Sequence, residues 1–311
     1  MTALGFIAGL AILYLGGELL VRAAAAIGKR LHMSPAVAGV TIVAFATSAP
    51  ELAISLDAAI NDLPELAIGN VIGSNICNLA LILGAVTVVR PASVRRTLVR
   101  RDVLVMCVTT ALVPGFLLDG ALGRNEAVLL VLCFTAYIVL TVWQAQATRD
   151  QRSDDEHLVP TLSDNMPVNV LVAGIGIAML VGGSRLFVEA SVTIAELIGV
   201  PAGVVGLSAA AIGSSLPELT ASIIAARHGQ PEMAIGNLIG SNIFNLLLIL
   251  GTTAIIRPLE MRSVTNIDLA VMLGVTAMAL ALMLTRARLG RLEGSSLLVV
   301  YALYMGWLFA Q

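Results

Sequence analysis

Two short stretches of sequence decide the fold of this chain: residues 46–51 read Ala-Thr-Ser-Ala-Pro-Glu, and residues 213–218 read Gly-Ser-Ser-Leu-Pro-Glu. Each is followed by a second shared stretch, Gly-Asn-x-Ile-Gly-Ser-Asn-Ile-x-Asn, at residues 69–78 and 236–245. Both copies place a proline, a carboxylate, hydroxyls and amides inside sequence that is otherwise apolar. A pattern that interrupts apolar sequence twice in the same way predicts one functional site built from two related halves.

These stretches belong to a longer internal duplication. Residues 39–91 align with residues 206–258 without a gap at an offset of 167 residues, and about half of the aligned positions are identical. The first predicted helices of the two halves also correspond weakly, so the repeat covers whole halves. The sequence therefore divides into a first repeat at residues 1–143, a polar linker at 144–167 and a second repeat at 168–311.

The composition is typical of a polytopic membrane protein. Hydrophobic residues make up 58% and charged residues 12% of the 311 residues, whereas soluble domains average roughly 25% charged residues. The apolar runs are close to the roughly 20 residues that a helix needs to cross a bilayer. We predict an all-α fold of ten spans, five in each half, at residues 3–21, 34–60, 64–89, 103–118, 127–143, 168–188, 201–226, 231–256, 269–284 and 295–309.

The distribution of basic residues predicts the orientation in the cell membrane. With the N-terminus outside, most basic residues fall in cytoplasmic loops, which is the bias that sets membrane topology. The predicted cytoplasmic set is Arg22, Lys29, Arg30, Arg90, Arg95, Arg96, Arg100, Arg101, Arg149, Arg152, Arg227, Arg286, Arg288 and Arg291. Only Arg124, Arg185, Arg257 and Arg262 remain outside. Both termini are then outside, the linker is cytoplasmic, and the second repeat is inverted because five spans is an odd number.

Several classes of function are disfavoured. A net charge of −2, without a basic patch interleaved with aromatics, argues against nucleic-acid partners. Cys77, Cys107 and Cys133 lie in apolar runs without paired spacing and are interpreted as small core hydrophobes. No histidine lies in the middle of a predicted span, which disfavours a histidine metal site or proton relay. We expect no cofactor and no protein partner, and we expect the lipid bilayer to surround the chain.

The two prolines of the shared stretches fall in the middle of predicted spans. Pro50 and Pro217 lack the backbone donor that a helix needs, which strands the carbonyls of Ala46 and Gly213. Backbone broken at membrane depth survives only where it is buried in protein or lines a wet cavity. We therefore predict that spans two and seven are discontinuous, with free carbonyls near the following glutamates.

The two glutamates need a cationic partner. A charge at the bilayer centre costs roughly 2.5 to 3.5 kcal/mol on insertion scales. No Lys or Arg lies in the central parts of spans two, three, seven or eight, so Glu51 and Glu218 have no protein cation in reach. A bound cation or a proton is what remains to neutralise them.

Oxygen donors surround each glutamate in the sequence. Hydroxyls and amides recur on the broken spans and on the spans that follow them: Thr47, Ser48, Ser55, Ser74 and Asn78 in the first copy, and Ser214, Ser215, Ser222, Ser241 and Asn245 in the second. A set of carboxylate, carbonyl, hydroxyl and amide oxygens favours a hard cation such as sodium or calcium. Each hydroxyl alone could serve only to hold helices together, but the duplicated set is harder to explain in that way.

Two smaller features of the spans allow packing predictions. Small residues let membrane helices approach closely, so we expect the glycines of spans three and eight to face spans two and seven: Gly69, Gly73, Gly84, Gly236, Gly240 and Gly251. Glu18 and Arg22 lie one turn apart and are expected to pair near the cytoplasmic surface.

These residues resemble the paired alpha-repeats of the sodium/calcium exchanger branch of the cation/calcium antiporter superfamily, most closely its prokaryotic members. The resemblance covers essentially the whole chain. It implies that the chain is no enzyme but an antiporter that exchanges sodium for calcium by alternating access, with spans one and six sliding past the bundle that holds the site. It implies these ion ligands: Ala44 and Ala211 through their carbonyls, Thr47, Ser48, Glu51, Ser74, Asn78, Ser214, Ser215, Glu218, Ser241 and Asn245.

Two departures and two alternatives accompany the resemblance. Some relatives have Asp where this chain has Asn245, and in potassium-dependent relatives that aspartate is tied to potassium use, so we expect no potassium requirement here. Ser214 stands where many relatives have Thr, which changes little because both offer a hydroxyl. A calcium/proton antiporter is the first alternative, because a proton also neutralises a buried glutamate. An intramembrane hydrolase is the distant alternative, since no base histidine or Gly-x-Ser-x-Gly elbow is present.

Overall fold

A computed structural model describes residues 2–94, 96–116, 121–147, 163–197, 213–260, 265–286 and 288–310. Residues 148–162, which make up most of the predicted linker, and the first part of span seven lie outside the described residues. The first half is helical apart from short connections. Its α-helices are Thr2–Arg30 (α1), Pro35–Ala38 (α2), Ala44–Thr47 (α3), Ala49–Ile60 (α4), Pro64–Ile76 (α5), Leu83–Val89 (α6), Arg96–Leu98 (α7), Leu104–Phe116 (α8) and Arg124–Ala147 (α9).

The described part of the second half repeats this pattern. Its helices are Met166–Leu197 (α10), Leu216–Arg227 (α11), Pro231–Ile243 (α12), Leu250–Ile256 (α13), Asn266–Arg286 (α14) and Arg291–Phe309 (α15). Among the described residues, four segments of π-helix join neighbouring helices into longer ones: Gly39–Val43, Cys77–Ile82, Val99–Val103 and Phe244–Ile249. The segments at Cys77–Ile82 and Phe244–Ile249 are repeat mates, so the same irregularity occurs in both copies.

The helices fall where the sequence predicts spans. Among the described residues, seven helices are long and apolar enough to cross a membrane, and they correspond to spans one, three, five, six, eight, nine and ten. Span two is a pair of helices, Pro35–Thr47 and Ala49–Ile60, bent by 43°. Helical residues 96–116 and 216–227 occupy spans four and seven. The structure is all-α at this level, and the total of ten spans stays a prediction.

The first helix is longer than predicted. It continues to Arg30 instead of ending near residue 21. The added turns contain an alanine run, residues 23–26, which is buried against the rest of the protein. Alanine has the highest intrinsic helix propensity, so the charges that flank this run do not end the helix.

Two short antiparallel ribbons join the halves. Strand Ala92–Ser93 (β1) pairs with Arg288–Leu289 (β4), and Ala121–Leu122 (β2) pairs with Leu259–Glu260 (β3). At the offset of 167 residues, β1 corresponds to β3 and β2 to β4, so the two ribbons are repeat images of each other. One helical crossing, residues 96–116, separates β1 from β2 and places the ribbons at opposite ends of the bundle. Repeat-related strands at opposite ends are the arrangement expected of an inverted repeat.

The centre of the bundle is formed by spans three and eight. In each of them 78% of the most apolar window is buried, against 33% or less in the other helices long enough to cross a membrane. These two spans hold the shared Gly-Ser-Asn stretches. The polar motif residues therefore lie in the interior, and the remaining long helices present apolar side chains outward, as is expected of helices that face lipid.

Glycines form the contact between α1 and α10, the first helices of the two halves. A Cβ at Gly16 would lie 2.9 Å from the carbonyl oxygen of Gly176, and one at Gly183 would lie 2.8 Å from the backbone nitrogen of Leu13. At the repeat offset Gly16 is the mate of Gly183. The two helices therefore meet backbone to backbone, a contact that only glycine permits.

The glycines of spans three and eight follow the prediction only in part. Gly236 and Gly240 lie against the first half of span two, where an added Cβ would meet the carbonyls of Ala36 and Val40. The prediction for Gly84 and Gly251 was wrong, because Gly84 contacts Gly294 and Leu298 of α15, and Gly251 contacts Ala127, Leu130 and Val131 of α9. Spans nearly apolar all round give no sequence signal for which neighbour a glycine faces. A Cβ added at Gly69 or Gly73 would meet no described atom within 4 Å, so these two glycines make no close contact with the described parts of spans two and seven.

Candidate ion-binding site

The predicted break in span two is present, and it lies just before the proline. The helix α3 ends at Thr47, and Ser48 has φ −83° and ψ 4°, which is not helical. Pro50 is then the second residue of α4, where its missing N–H costs no helical hydrogen bond. Glu51 lies in the first turn of α4, at the end of the helix that favours negative charge.

Span seven has the same geometry at its described end. Ser215 has φ −90° and ψ 6° and precedes α11, with Pro217 second and Glu218 in the first turn. The carbonyl of Gly213 accepts a hydrogen bond of 2.7 Å from the Ser184 hydroxyl. The expected free carbonyl at Gly213 is therefore occupied by a side chain from α10.

Both glutamates are buried and short of partners. Glu51 and Glu218 are each 1% exposed. Neither carboxylate oxygen of Glu51 has a hydrogen-bond partner, and Oε2 of Glu218 has none. Oε1 of Glu218 accepts a hydrogen bond of 3.1 Å from the Ser48 hydroxyl, which joins the two repeats at the site. Among the described residues, no Lys or Arg forms an ion pair with either glutamate.

Other predicted ligands share this lack of partners. The buried oxygens of Asn78 (Oδ1), Ser215 (Oγ), Ser241 (Oγ) and Asn245 (Oδ1) have no hydrogen-bond partner. A buried polar atom without a partner costs free energy comparable to a lost hydrogen bond, so such atoms call for a ligand. The residues present thus fit a cation held by carboxylate, hydroxyl and amide oxygens.

Two asparagines that the sequence analysis did not select support the site. Asn70 donates to the Ser55 hydroxyl at 3.0 Å and to the Glu51 carbonyl at 3.3 Å. Its repeat mate Asn237 donates to the Ser222 hydroxyl at 2.9 Å and accepts from Thr47 at 3.2 Å. Both asparagines belong to the shared Gly-Asn stretch, so the duplication itself was the signal that could have identified them.

The remaining predicted ligands divide between bonded and open positions. The Ala44 carbonyl accepts from the Ser48 backbone N–H at 3.0 Å and from the Thr47 hydroxyl at 3.5 Å. Ala211 lies outside the described residues. A cavity leads from the site to the protein surface. Of the described predicted ligands, Ser74 and Ser214 line it. The site is therefore open on the side of these two serines.

That cavity has a volume of about 940 Å³. The described residues of its wall include Pro50 beside the break, Tyr301 and Tyr304, and the charged residues Glu65, Arg185, Glu189 and Asp268. Glu65 lies in the first turn of α5, directly after the turn that ends span two. The cavity therefore opens at the end of the bundle where span two finishes.

The opposite end carries an ion-pair cluster. Glu18 of α1 accepts from Arg22 Nε at 2.7 Å, which confirms the predicted pair. Nε2 of His228, the residue after α11, lies 2.9 Å and 2.8 Å from the two Glu18 carboxylate oxygens. His228 lies three residues before Pro231, the first residue of α12, whose Gly236 packs on Ala36 near the start of span two. The cluster therefore ties α1 to α11 at the end of the bundle away from the cavity.

Known proteins match this chain over nearly its whole length. A family model described as "Sodium/calcium exchanger protein" matches residues 1–143 and 168–310. A putative antiporter CaxA from Alkalimonas amylolytica is 36% identical over 97% of both chains. The sodium/calcium exchanger MaX1 from Methanosarcina acetivorans is 31% identical, covering 97% of this chain and 96% of its own.

Solved structures of a sodium-calcium exchanger are also similar to this chain. A structure of the sodium-calcium exchanger NCX_Mj, soaked with sodium and calcium, superposes with a TM-score of 0.84 at 28% identity. The superposition covers 98% of this chain and 97% of the other. A structure of the same protein soaked without either ion also has a TM-score of 0.84 and covers 99% of this chain.

Proposed function

Since this chain belongs to the sodium/calcium exchanger family, we propose that it exchanges sodium for calcium across a membrane. The observation that carries this proposal is the pair of buried carboxylates, Glu51 and Glu218, which lack a cationic partner among the described side chains. Two negative charges balance one calcium ion, or sodium ions in its place. An antiporter needs such a site, because its two substrates must compete for the same charges.

The proposed ligands are the residues that the duplicated sequence predicts. Six of them are supported by a buried side-chain oxygen that has no hydrogen-bond partner: Glu51, Glu218, Asn78, Asn245, Ser215 and Ser241. Ala44, Thr47, Ser48, Ser74, Ala211 and Ser214 are proposed as the remaining ligands. Oxygen ligands without thiolate or imidazole suit calcium and sodium.

Access to the site alternates between the two ends of the bundle. In this structure the cavity reaches Ser74 and Ser214 from the end where span two finishes, while the Glu18–His228 contact holds α1 against α11 at the other end. Sliding of α1 and α10, held together by their glycine contact, past the bundle that holds the site closes the first path and opens the second. The polar groups at the break line a wet cavity during this cycle, as broken transporter helices require.

The protein is a multi-pass membrane protein, and we place it in the inner membrane with both termini outside. The basic residues of the predicted cytoplasmic loops support this orientation. The cavity then opens to the outside, and the Glu18, Arg22 and His228 cluster lies on the cytoplasmic side. The structure is an outward-open state in this assignment.

Calcium flux in proteoliposomes tests the function. Purified protein is reconstituted, and calcium uptake is driven first by an outward sodium gradient and then by a proton gradient of the same size. We expect uptake with the sodium gradient only, and we expect the same rate when potassium is removed from both sides. Uptake with the proton gradient alone supports the calcium/proton alternative, and loss of uptake without potassium contradicts the interpretation of Asn245.

A further inference from the structure

Asparagine ligands have an orientation problem that carboxylates do not have. The side-chain amide has one oxygen, which binds a cation, and one NH₂ group, which repels it. The two arms are nearly the same in size and shape. Asn78 and Asn245 therefore serve as ligands only if something turns their oxygens toward the ion.

A neighbouring asparagine orients Asn78. Nδ2 of Asn78 donates a hydrogen bond of 3.1 Å to Oδ1 of Asn242, and both residues are 1% exposed. The Oδ1 atom of Asn78 has no hydrogen-bond partner. Because the donor arm is held by Asn242, the oxygen arm is the one left for an ion.

The acceptor is itself held in one orientation. Nδ2 of Asn242 lies 3.7 Å from the sulfur of Met106 on α8. A thioether sulfur accepts weakly and does not donate, so the NH₂ arm of Asn242 belongs on that side. Its oxygen is then the arm that faces Asn78.

The duplication places a second pair of the same kind. At the repeat offset, Asn75 is the mate of Asn242, and Asn245 is the mate of Asn78. Asn75 donates to the Val71 carbonyl at 2.6 Å, which leaves its oxygen free. Neither the side-chain oxygen of Asn75 nor the NH₂ group of Asn245 has a hydrogen-bond partner. One equivalent bond is formed in this structure, and the other has its donor and its acceptor available.

We propose that Asn242 and Asn75 are positioning residues, which accept from the NH₂ arms of Asn78 and Asn245 and so turn the two ligand oxygens toward the ion. The proposal rests on the function proposed above and assigns these residues no contact with the ion. This role explains why each copy has a second asparagine three residues before the proposed ligand: Asn242 reaches the ligand of the other repeat in this structure, and Asn75 is proposed to do the same for Asn245.

The first test is calcium uptake by Asn242→Leu, which removes the acceptor at nearly constant size. We expect the calcium concentration for half-maximal uptake to rise about tenfold, the value of one buried hydrogen bond. The maximal rate should change little, because transport itself is not altered. The thermal shift caused by added calcium should weaken in parallel. Asn169→Leu is the matched control, since Asn169 is also buried but lies near the start of α10, away from the site, where it donates to the backbone carbonyl of Ser163.

The second test separates positioning from a merely structural role. Asn78→Asp has an oxygen on both arms and so needs no orienting partner. In the Asn78→Asp protein, we expect the added Asn242→Leu change to shift calcium affinity less than about threefold, so that the two changes are coupled. The equivalent comparison of Asn75→Leu in the native and Asn245→Asp proteins is made in parallel, and it decides the question if Asn78→Asp binds no calcium.

The outcomes are distinct. Two results would overturn the positioning role. One is a loss of calcium affinity in the Asn78→Asp and Asn245→Asp proteins, after Asn242→Leu and Asn75→Leu respectively, as large as in the native protein. The other is normal calcium affinity of both Asn242→Leu and Asn75→Leu in the native background. Melting in the absence of calcium reports folding separately. Failure of the native protein to take up calcium on a sodium gradient would instead contradict the proposed function.

Discussion

The Ser48 hydroxyl of the first repeat donates a 3.1 Å hydrogen bond to Oε1 of Glu218 in the second. Ser48 is the non-helical residue at the break of span two, and Glu218 lies in the first turn after the break of span seven. The two breaks therefore meet, and each repeat supplies one carboxylate to a shared interior.

Glu51→Gln and Glu218→Gln should each abolish calcium transport. The substitution keeps the size and one oxygen but leaves a dipositive ion undercompensated in a medium of low dielectric constant, where unpaired charge is most costly. Thermal stability without calcium should hold or rise, because a buried charge has been removed. Stabilisation by added calcium should disappear, since it reports only binding to the folded state.

Glu126→Gln, in the first turn of α9 and outside the site, is the control for the loss of one carboxylate. It should transport calcium normally. Purified Glu51→Gln that shows native calcium flux and native stabilisation by calcium would move the site away from these residues.

Ser48→Ala should weaken calcium binding without unfolding the protein. The change leaves Oε1 of Glu218 without its hydroxyl donor, and one buried hydrogen bond to a charged group is worth about 1.5 to 3 kcal/mol. Calcium affinity measured by thermal shift should fall at least about tenfold. Ser48→Thr keeps a hydroxyl and should recover most of the affinity, whereas equal losses in both variants would mean that the hydroxyl is unimportant.

Gly183→Ala should slow transport, while Gly182→Ala should not. An added Cβ at Gly183 lies 2.8 Å from the Leu13 backbone nitrogen, whereas one at Gly182 has no described atom within 4 Å. The first change pushes α1 away from α10 and the second points outward. The rate of sodium-driven calcium uptake checks this, with calcium affinity as the internal standard. Equal rates for the two variants would show that close contact of α1 and α10 is unnecessary.

Single-cysteine labelling tests the orientation. On a background without Cys77, Cys107 and Cys133, a cysteine at Asn61 should react with an impermeant thiol reagent added outside, because that residue is exposed in the turn after α4. Asn61 is a better position than Asp62, whose positive φ of 61° disfavours most side chains. A cysteine at Lys29 should react only after the membrane is made permeable. The reverse pattern would invert the assignment.

Much of the fold could be predicted because its signals are local. The apolar runs predicted the spans. A proline followed by a carboxylate predicted the broken helices, because neither residue suits a helix that faces lipid. The position of the break, at Ser48 instead of the proline, depends on local backbone geometry that proline alone does not determine. The prediction of glycine contacts failed at Gly84, because a helix that is apolar all round does not indicate which neighbour it faces.

The contacts that complete the site could not be predicted in the same way. The pairs Ser48 with Glu218, Asn78 with Asn242, and Glu18 with His228 each join residues far apart in the chain. No periodicity relates their positions, so only the folded arrangement of the two repeats brings them together. The supporting asparagines were visible in the duplication, yet their roles depend on which hydroxyls they reach.

The two strand ribbons also have a consequence for biogenesis. Each ribbon pairs a segment of the first half with a segment of the second, and β4 is completed only at Leu289. When the ribosome has made the first half, β1 and β2 still lack their partners, and Glu51 has been inserted without Glu218 and its hydroxyl contacts. The helices of the first half therefore form a loosely packed intermediate in the translocon or the bilayer until the second half is made. Truncation after the first repeat should yield a substrate for membrane quality control and not a stable half-transporter.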